Sequence, residues 1–485
     1  MAIQCGISAL SHDASFSIID DINGEILYAS HSERFSRVKN DFYLSKSCVD
    51  IINSFMPETI VWYERPYLKK SRQLISGQWS DALSLSDIPS TYLKSIGIKS
   101  KKIEYVDHHL SHISAGFNTS SFDTACGVVI DAIGEWSTIT IWKLGSIFEK
   151  VKEITYPSSL GLLYTAFTQR IGLKPNEEEY ILMGMAAYGN PIYVDQILND
   201  YIEVDDVFYT VKVNCHRGIG NYLPNANVED LAASIQVVIE LAVESILNVA
   251  KNITNECNLV YMGGVALNCV ANKYAYKIFN DVWIMPNPGD SGSSLGSVSY
   301  FCNKKLLWDG PYLGYGIEGD YPIDDIADEL LKNNICGVAN GRAEFGPRAL
   351  GNRSLLADPR GNKTKGNVNL IKKRESFRPF APVIMEEHLH DYFDAPCDAL
   401  PYMQLTVPCK YPNKYPAIVH HDGTSRVQTV NESQHKGLYN LLKIFYETTG
   451  CPMLLNTSLN IKGEPLVNNK IHAQEFETKY NIKVL

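Results

Sequence analysis

Two histidines four residues apart, His108 and His112 in the run VDHHLSH (106–112), are the residues whose type and spacing speak most directly of chemistry. On a helix that spacing puts both imidazoles on one face about one turn apart, as a shared metal ion requires. The plainer reading is a polar helix start with solvated histidines. A divalent ion held by neutral imidazoles also wants oxygen ligands, and two aspartates stand where α/β proteins gather ligand groups. Asp131 ends the strand-like ACGVVID, and Asp290 lies in the loop NPGDSGSSLGS just before a helix. Mixed N and O donors with open positions suit iron, manganese or zinc alike.

His12, in SALSHDASFSI, follows the first strand-like run and sits where Asp131 sits in a second, similar block. Its unperturbed pKa near neutrality makes it a candidate general base, although a lone histidine is more often a structural hydrogen-bonding group. The Gly-rich turns MGGVALN (262–268) and GDSGSSLGS (289–297) could each bring backbone N–H groups against phosphate oxygens, or be tight structural turns. Three later stretches, GRAEFGPRALGNRSLLADPRG, IKKRESFRPFAP and DGTSRVQTV, crowd guanidiniums beside Gly, Asn and Asp. Arginine's planar fork suits bidentate phosphate binding, and arginines paired internally to acids are the bland alternative. LLNTSLNIKGEPLV (454–467) adds hydrogen-bonding side chains after an apolar strand, or is simply a polar turn.

The elements that must position these groups are partly legible. AIQCGIS, ASFSIID and EILYAS read as strands, the last two joined by a turn containing Asn23-Gly24. ACGVVID, STITIWKL and IFEKVKEITYP repeat the theme, so two similar halves are expected. Residues 228–253 carry apolar residues at helical spacing, and NLVYMGGVALN reads as a buried strand entering a Gly turn and a helix. Residues 305–325, rich in Gly, Pro and Asp without periodicity, read as a linker or domain edge.

At 485 residues the chain predicts two or three domains. Its 45% hydrophobic and 20% charged composition excludes a mainly disordered or fibrous protein. A net charge of −10 argues against a protein that coats nucleic acid with its whole surface. Eleven cysteines without a C-x-x-C pair fit reduced thiols, and apolar runs broken by acids predict no membrane span, hence a soluble cytoplasmic protein. One segment runs against the overall charge: from Arg65 to Lys102 eight Lys/Arg face two acids, a local +6. It is either an exposed basic loop or a device that steers a polyanionic acceptor, such as a DNA base flipped from the stack. Trp62, Tyr63, Tyr67, Trp79 and Tyr92 offer stacking surfaces there, or core packing.

Taken together, GISALSHDAS, HSERFSRVKND, VDHHLSHISAGF, DAIGEWST, SLGLLYTAFT, YILMGMAAYG, GGVALNCVAN, GDSGSSLG, GRAEFGPRALGNRSLLADPR, KRESFRPFAP, DGTSRVQTV and LLNTSLNIKGEP resemble, in order, the ATP-dependent O-carbamoyltransferases of nodulation-factor and antibiotic biosynthesis. The resemblance implies an α/β chain: a duplicated actin-like (ribonuclease H-like) domain over 1–310, then a smaller α+β YrdC-like domain over 311–485. It implies that carbamoyl phosphate and ATP give carbamoyl-adenylate in the second domain, and that the first passes the carbamoyl group to an acceptor hydroxyl, leaving AMP. The cofactors implied are ATP with Mg and a divalent metal, iron first and Mn or Zn as alternatives.

Position by position, His108, His112, Asp131 and Asp290 match the family's metal ligands and His12 its base. Lys39, after the ERF-x-R motif, matches a basic position facing acceptor or intermediate. Gly263, Gly264 and Asn268 match the nucleotide-side turn. Arg348, Arg353, Lys372, Arg374, Arg378, Arg426 and Asn456 match the anion-rich site that takes carbamoyl phosphate and ATP. Ile181 departs from the family, standing where a lysine is usual, and the chain looks shorter than is usual, so acceptor identity does not carry over. A small-molecule hydroxyl is the first expectation for the acceptor; a hydroxymethylated DNA base and a catalytically inactive ATP-binding regulatory module are the alternatives. A homodimer is compatible with the resemblance.

Overall fold

Alternating strands and a tight turn near the N-terminus build the first half of the larger unit. The computed structural model describes residues 2–205, 208–361, 363–375, 377–378 and 380–485. Two compact units form, one from Met1–Ser36 with Asn40–Trp308, the other from Arg37–Lys39 with Asp309–Leu485.

In the larger unit, β1 (Ile3–Ser8), β2 (Ser15–Asp20), β3 (Glu25–His31), β4 (Thr59–Trp62) and β5 (Lys102–Tyr105) make a sheet in the order β3-β2-β1-β4-β5. β1–β2 and β2–β3 are antiparallel; β1–β4 and β4–β5 are parallel. Gly24 turns the β2–β3 hairpin at φ +77°, where a Cβ would meet Lys305 O at 2.5 Å. A second sheet uses β6 (Ala125–Gly134), β7 (Ser137–Leu144), β8 (Glu149–Thr155), β9 (Asn258–Met262) and β10 (Asp281–Trp283) in the order β8-β7-β6-β9-β10, with the same alternation of antiparallel and parallel pairs. Equal order and polarity in both halves is the duplicated, ribonuclease H-like arrangement expected of an actin-like domain. The strands β1 and β2 are buried almost throughout, because both faces of the sheet are covered.

Two helices matter for the site. Asp107 caps α1 (His108–Thr119) by accepting from Leu110 N at 2.9 Å, which starts the helix at His108. The long helix α2 (Val228–Thr254), anchored by the Asn227 cap, is apolar and long enough to cross a membrane by composition, but 67% of its most apolar window is buried in the core of the second half. A third helix, α3 (Ser293–Cys302), crosses α1 at backbone contact: a Cβ on Gly296 would sit 1.7 Å from Ser111 O, and one on Gly6 of β1 1.8 Å from Ser294 O. Small residues at this crossing bring the start of α3, and Asp290 before it, against the histidines.

The smaller unit is an α+β assembly. β11 (Ile335–Ala339), β12 (Arg353–Ala357), β13 (Ala381–Met385), β14 (Gln428–Val430) and β15 (Met453–Ser458) form a sheet in the order β11-β12-β15-β13-β14, antiparallel except for β13–β14. The segment read as a linker or domain edge, 305–325, holds the division between the two units at Trp308 and Asp309; it also contains Tyr312–Ile317, a strand antiparallel to Gly341–Glu344, and leads into the helix Ile323–Asn333. Its Gly/Pro/Asp content hides a pairing whose partner lies elsewhere in the sequence.

His435 caps α4 (Lys436–Thr449): Nδ1 accepts from Leu438 N (3.0 Å), and Nε2 donates to Asn352 Oδ1 (2.8 Å). Burial lowers its pKa from 6.5 to about 4. The unfolded chain takes up the proton first, so this contribution is complete above pH 6.5 and is lost as pH falls toward 4, at about 1.4 kcal/mol per pH unit. His435→Asn, which caps without titrating, is expected to flatten acid unfolding across that window when followed by circular dichroism.

Candidate functional site

Strand ends and helix starts of the larger unit converge on four side chains. His108 and His112 point from the first turns of α1, Asp131 from β6, and Asp290 from the loop before α3; one donor atom from each lies within 4.8 Å of the others. The two Nε2 atoms are 3.1 Å apart. His108 Nε2 is 3.5 Å from Asp131 Oδ2 and 3.4 Å from Asp290 Oδ1, and His112 Nε2 is 3.9 and 3.4 Å from the same oxygens. Neighbouring ligands about 2.1 Å from one ion stand roughly 3.0–3.5 Å apart, so this donor set fits a divalent cation.

The surrounding groups aim these donors. His112 Nδ1 donates to Pro288 O (3.1 Å), leaving the Nε2 lone pair toward the cluster. Gly264 N donates to Asp131 Oδ1 (2.8 Å) and Ser11 Oγ to Asp290 Oδ2 (3.2 Å), so in each carboxylate the other oxygen serves the cluster. Glu64, buried and ion-paired with Lys69 at 2.8 Å, places Oε2 3.8 Å from His108 Nδ1. That is beyond hydrogen-bond length but close enough to favour a proton on Nδ1. Burial works against charge on His108, yet Asp290, Asp131 and Glu64 outweigh it and raise its pKa well above the ordinary value. Burial likewise opposes ionisation of Asp290, and His108 and His112 reverse it, holding the carboxyl well below its usual range.

Two glycines are demanded by the geometry. Gly263 has φ +92°, and a Cβ there would lie 2.3 Å from Ile130 O. Gly134 packs on His108, where a Cβ would fall 2.2 Å from Cδ2 of the ring. Gly134→Ala must displace that imidazole, and the affinity for Mn or Zn is expected to drop by about 10–100-fold, as it does when ligand orientation is disturbed; titration calorimetry alongside circular dichroism checks this.

His12 Nε2 lies 2.7 Å from Asn176 O. A carbonyl only accepts, so Nε2 carries the hydrogen and Nδ1 is left as the basic nitrogen. Its neighbour Ser11 touches Asp290, which places this loop beside the four-residue cluster. Lys39 is exposed and groups with the smaller unit. Asn268 is buried, and both its amide atoms pair with Gln236 (3.1 and 3.2 Å). That pairing makes it a brace of the turn, with Gly264 as the turn residue that meets the cluster. Ile181 is buried in the core.

In the smaller unit Lys372, Arg374 and Arg378 form a cationic cluster. Lys372 is buried, donating to Ser458 O, Ser458 Oγ (3.0 Å) and Asn460 Oδ1 (2.7 Å). Burial, then Arg374 and Arg378, push its pKa well below the ordinary value. Arg374 donates to Asn369 Oδ1 (2.8 Å) and lies over the Phe380 ring; Arg378 pairs with Glu375 at 3.4 Å. Arg348 is half-buried, Arg426 ends the strand Thr424–Arg426, and Asn456 donates to Gln428 Oε1 (2.7 Å) and Ala349 O (3.2 Å). Arg353 departs from its expected anion-binding role. Its side chain is fully buried and donates to five backbone carbonyls, those of Tyr315, Asn340, Gly341, Asn352 and Asn468. No donor is left for a phosphate.

Half of the cations in the basic stretch 65–102 find acid partners within the fold. Arg65 pairs with Asp107 and with Glu135 (2.7 Å), Lys69 with Glu64, Lys101 with Glu58 and Lys102 with Glu104; Lys70 donates to Asp81 O and Ser84 O. Trp62, Tyr63 and Tyr92 are core residues, leaving Tyr67 and Trp79 exposed. A polyanion-steering surface therefore has half of its eight cations paired to acids and three of its five rings in the core. Glu64, Lys69, Ser11 and Gly134 escaped the sequence reading; the only local signal was that Glu64 follows a strand-like run, as Asp131 does.

Residues 3–298 match the carbamoyltransferase N-terminus family and residues 327–485 the carbamoyltransferase C-terminus family. The chain is 33% identical to the Synechocystis protein sll1178, over 95% of this chain and 92% of that one. It is 30% identical to nodulation protein NolNO of Sinorhizobium fredii, over 95% and 76% of the two chains. A 27% identity links it to the 3'-hydroxymethylcephem-O-carbamoyltransferase of Amycolatopsis lactamdurans, over 94% and 93%. Among solved structures, HypF of T. kodakarensis matches 62% of this chain and 48% of its own at 14% identity and a TM-score of 0.38. With its N- and C-terminal regions each matched and relatives aligned along nearly its whole length, the chain belongs to the carbamoyltransferase family.

Proposed function

We propose that the protein activates carbamoyl phosphate with ATP and transfers the carbamoyl group to a hydroxyl of a small-molecule acceptor. The observation that carries the reading is the buried His108–His112–Asp131–Asp290 cluster, aimed from behind by Pro288 O, Gly264 N and Ser11 Oγ, beside a histidine with a free basic nitrogen. A divalent ion bound there, iron by resemblance and Mn or Zn by donor chemistry, supplies Lewis-acid stabilisation of charge on an adenylate or carbonyl oxygen.

The residues divide the work. In the smaller unit, the proposed YrdC-like one, water releases carbamate and phosphate from carbamoyl phosphate, and carbamate with Mg-ATP gives carbamoyl-adenylate and pyrophosphate. Arg374 and Arg378 supply positive charge to hold the phosphates, Lys372 adds N–H donors beside them, and Arg348 and Arg426 are proposed to join them. In the larger unit, Gly263 and Gly264 turn the backbone toward the nucleotide, and His12 Nδ1 takes the acceptor hydroxyl proton as oxygen bonds to the carbamoyl carbon and AMP leaves. Lys39 is proposed to contact the acceptor or the adenylate.

Activation predicts pyrophosphate release that requires both carbamoyl phosphate and ATP. A coupled phosphate and pyrophosphate assay on the purified chain tests this; pyrophosphate appearing at the same rate without carbamoyl phosphate contradicts it.

A further inference from the structure

Arg72 has no place in the chemistry above, and its situation is unusual for an arginine. It lies on the helix Pro66–Ile75 that follows β4, is only 5% exposed, and neither Nε nor Nη1 meets an acceptor among the described residues. A buried guanidinium without a hydrogen-bonding partner is costly, because desolvation is not offset. Helix Pro66–Ile75 is held firmly on both sides. Arg65 at its start is pinned by Asp107 and Glu135, and Ser71 Oγ accepts from Trp136 Nε1 (3.1 Å).

A second arginine approaches the same place from another element. Arg217 donates from Nη2 to Ser76 O (3.5 Å), one turn beyond Arg72. His216, next to Arg217 in the chain and half-buried, sets its ring 5.7 Å from that of Tyr156, whose N–H donates to Trp136 O (2.8 Å), the residue that holds Ser71 beside Arg72. Burial, then Arg72 and Arg217, lower the pKa of His216, so the imidazole stays neutral and can act as a donor or an acceptor. Among the described residues, no carboxylate forms an ion pair with either guanidinium; Glu64, whose charge reaches Arg72, is already paired with Lys69. Arg72 and Arg217 thus carry charge that no ion pair among the described residues offsets, beside a neutral histidine.

Their direction is informative. Glu64 lies on the Nδ1 side of His108, while Asp131 and the Gly264 turn approach from the Nε2 side. The helix that carries Arg72 starts at Arg65, which pairs with Asp107 at the cap of α1 and with Glu135 next to Gly134, so it begins at the His108 end of the cluster. We propose that Arg72 and Arg217, with His216, bind an oxyanion carried by the acceptor, so that the hydroxyl to be carbamoylated sits on a molecule with a carboxylate or phosphate group. This deepens the function proposed above and rests on the larger unit carrying out transfer. Planar guanidiniums suit either anion through paired N–H donors.

Calorimetric titration of the full-length protein with glycerate and with glycerol 3-phosphate, against glycerol as the neutral control, tests the site; the two anions separate carboxylate from phosphate. At least one anion is expected to bind at least tenfold more tightly than glycerol, and Arg72→Met and Arg217→Met each to lose tenfold or more, with Arg72→Lys retaining part. Arg217 is exposed, so its variant keeps the test valid if Arg72→Met fails to fold. Equal anion binding by wild type and both variants overturns the proposal. So does a loss of AMP affinity in Arg72→Met with anion binding intact, which assigns the arginine to the nucleotide. Carbamoyl-phosphate-dependent pyrophosphate release by the wild-type protein reports separately on the proposed reaction.

Discussion

His108→Ala and His112→Ala are each expected to abolish stoichiometric binding of a divalent metal and to stop carbamoyl transfer. The donor atoms are 3.1–3.9 Å apart across these five pairs, and removing one imidazole leaves two carboxylates with a single nitrogen between them. Disturbing only the groups that orient metal ligands costs about 10–100-fold in affinity, so loss of a ligand is expected to cost more than about 100-fold. Metal per chain after dialysis against Mn or Zn, read by elemental mass spectrometry, should fall from near one to the background. Retention of metal by both variants would place the ion elsewhere.

The second large effect concerns Arg353 and runs through stability. Five backbone carbonyls converge on its guanidinium, tying the strands Tyr312–Ile317 and Gly341–Glu344 and the segment at Asn468 to β12. Hydrogen bonds to a charged group contribute about 1.5–3 kcal/mol each, and truncation leaves several carbonyls buried without a donor. Arg353→Met is expected to destabilise the smaller unit by about 4 kcal/mol or more, shifting its thermal transition down by roughly 10 °C. Calorimetry reads the shift. If Arg353 held phosphate instead, the melting temperature would stay and the Michaelis constant for carbamoyl phosphate or ATP would rise.

What could be read in advance follows from how local each signal was. The duplicated halves were legible because strand alternation and the Asn23-Gly24 turn are encoded within a few residues, and because ACGVVID and STITIWKL restate the first block. The histidine pair was legible for the same reason: its spacing is one helical turn. Asp131 and Asp290 were reachable because strand ends and helix starts of α/β sheets meet at one edge. The basic stretch misled, since Arg65 finds its acid at Glu135, seventy positions along the chain. Arg353 misled likewise: a guanidinium beside Gly and Asn looks the same in sequence whether it faces phosphate or the carbonyls of its own fold. The strand Tyr312–Ile317 was hidden because its pairing with Gly341–Glu344 carries no local pattern.

The most direct test follows pyrophosphate and carbamoylated product together in His112→Ala, using carbamoyl phosphate, ATP and a panel of hydroxyl compounds analysed by mass spectrometry for replacement of H by CONH2. Wild type is expected to give both signals, and the variant to keep carbamoyl-phosphate-dependent pyrophosphate release while forming no carbamoylated product. Loss of both signals in a folded variant, or product formed at the wild-type rate, would contradict a division of activation and transfer between the cationic cluster and the histidine–aspartate site.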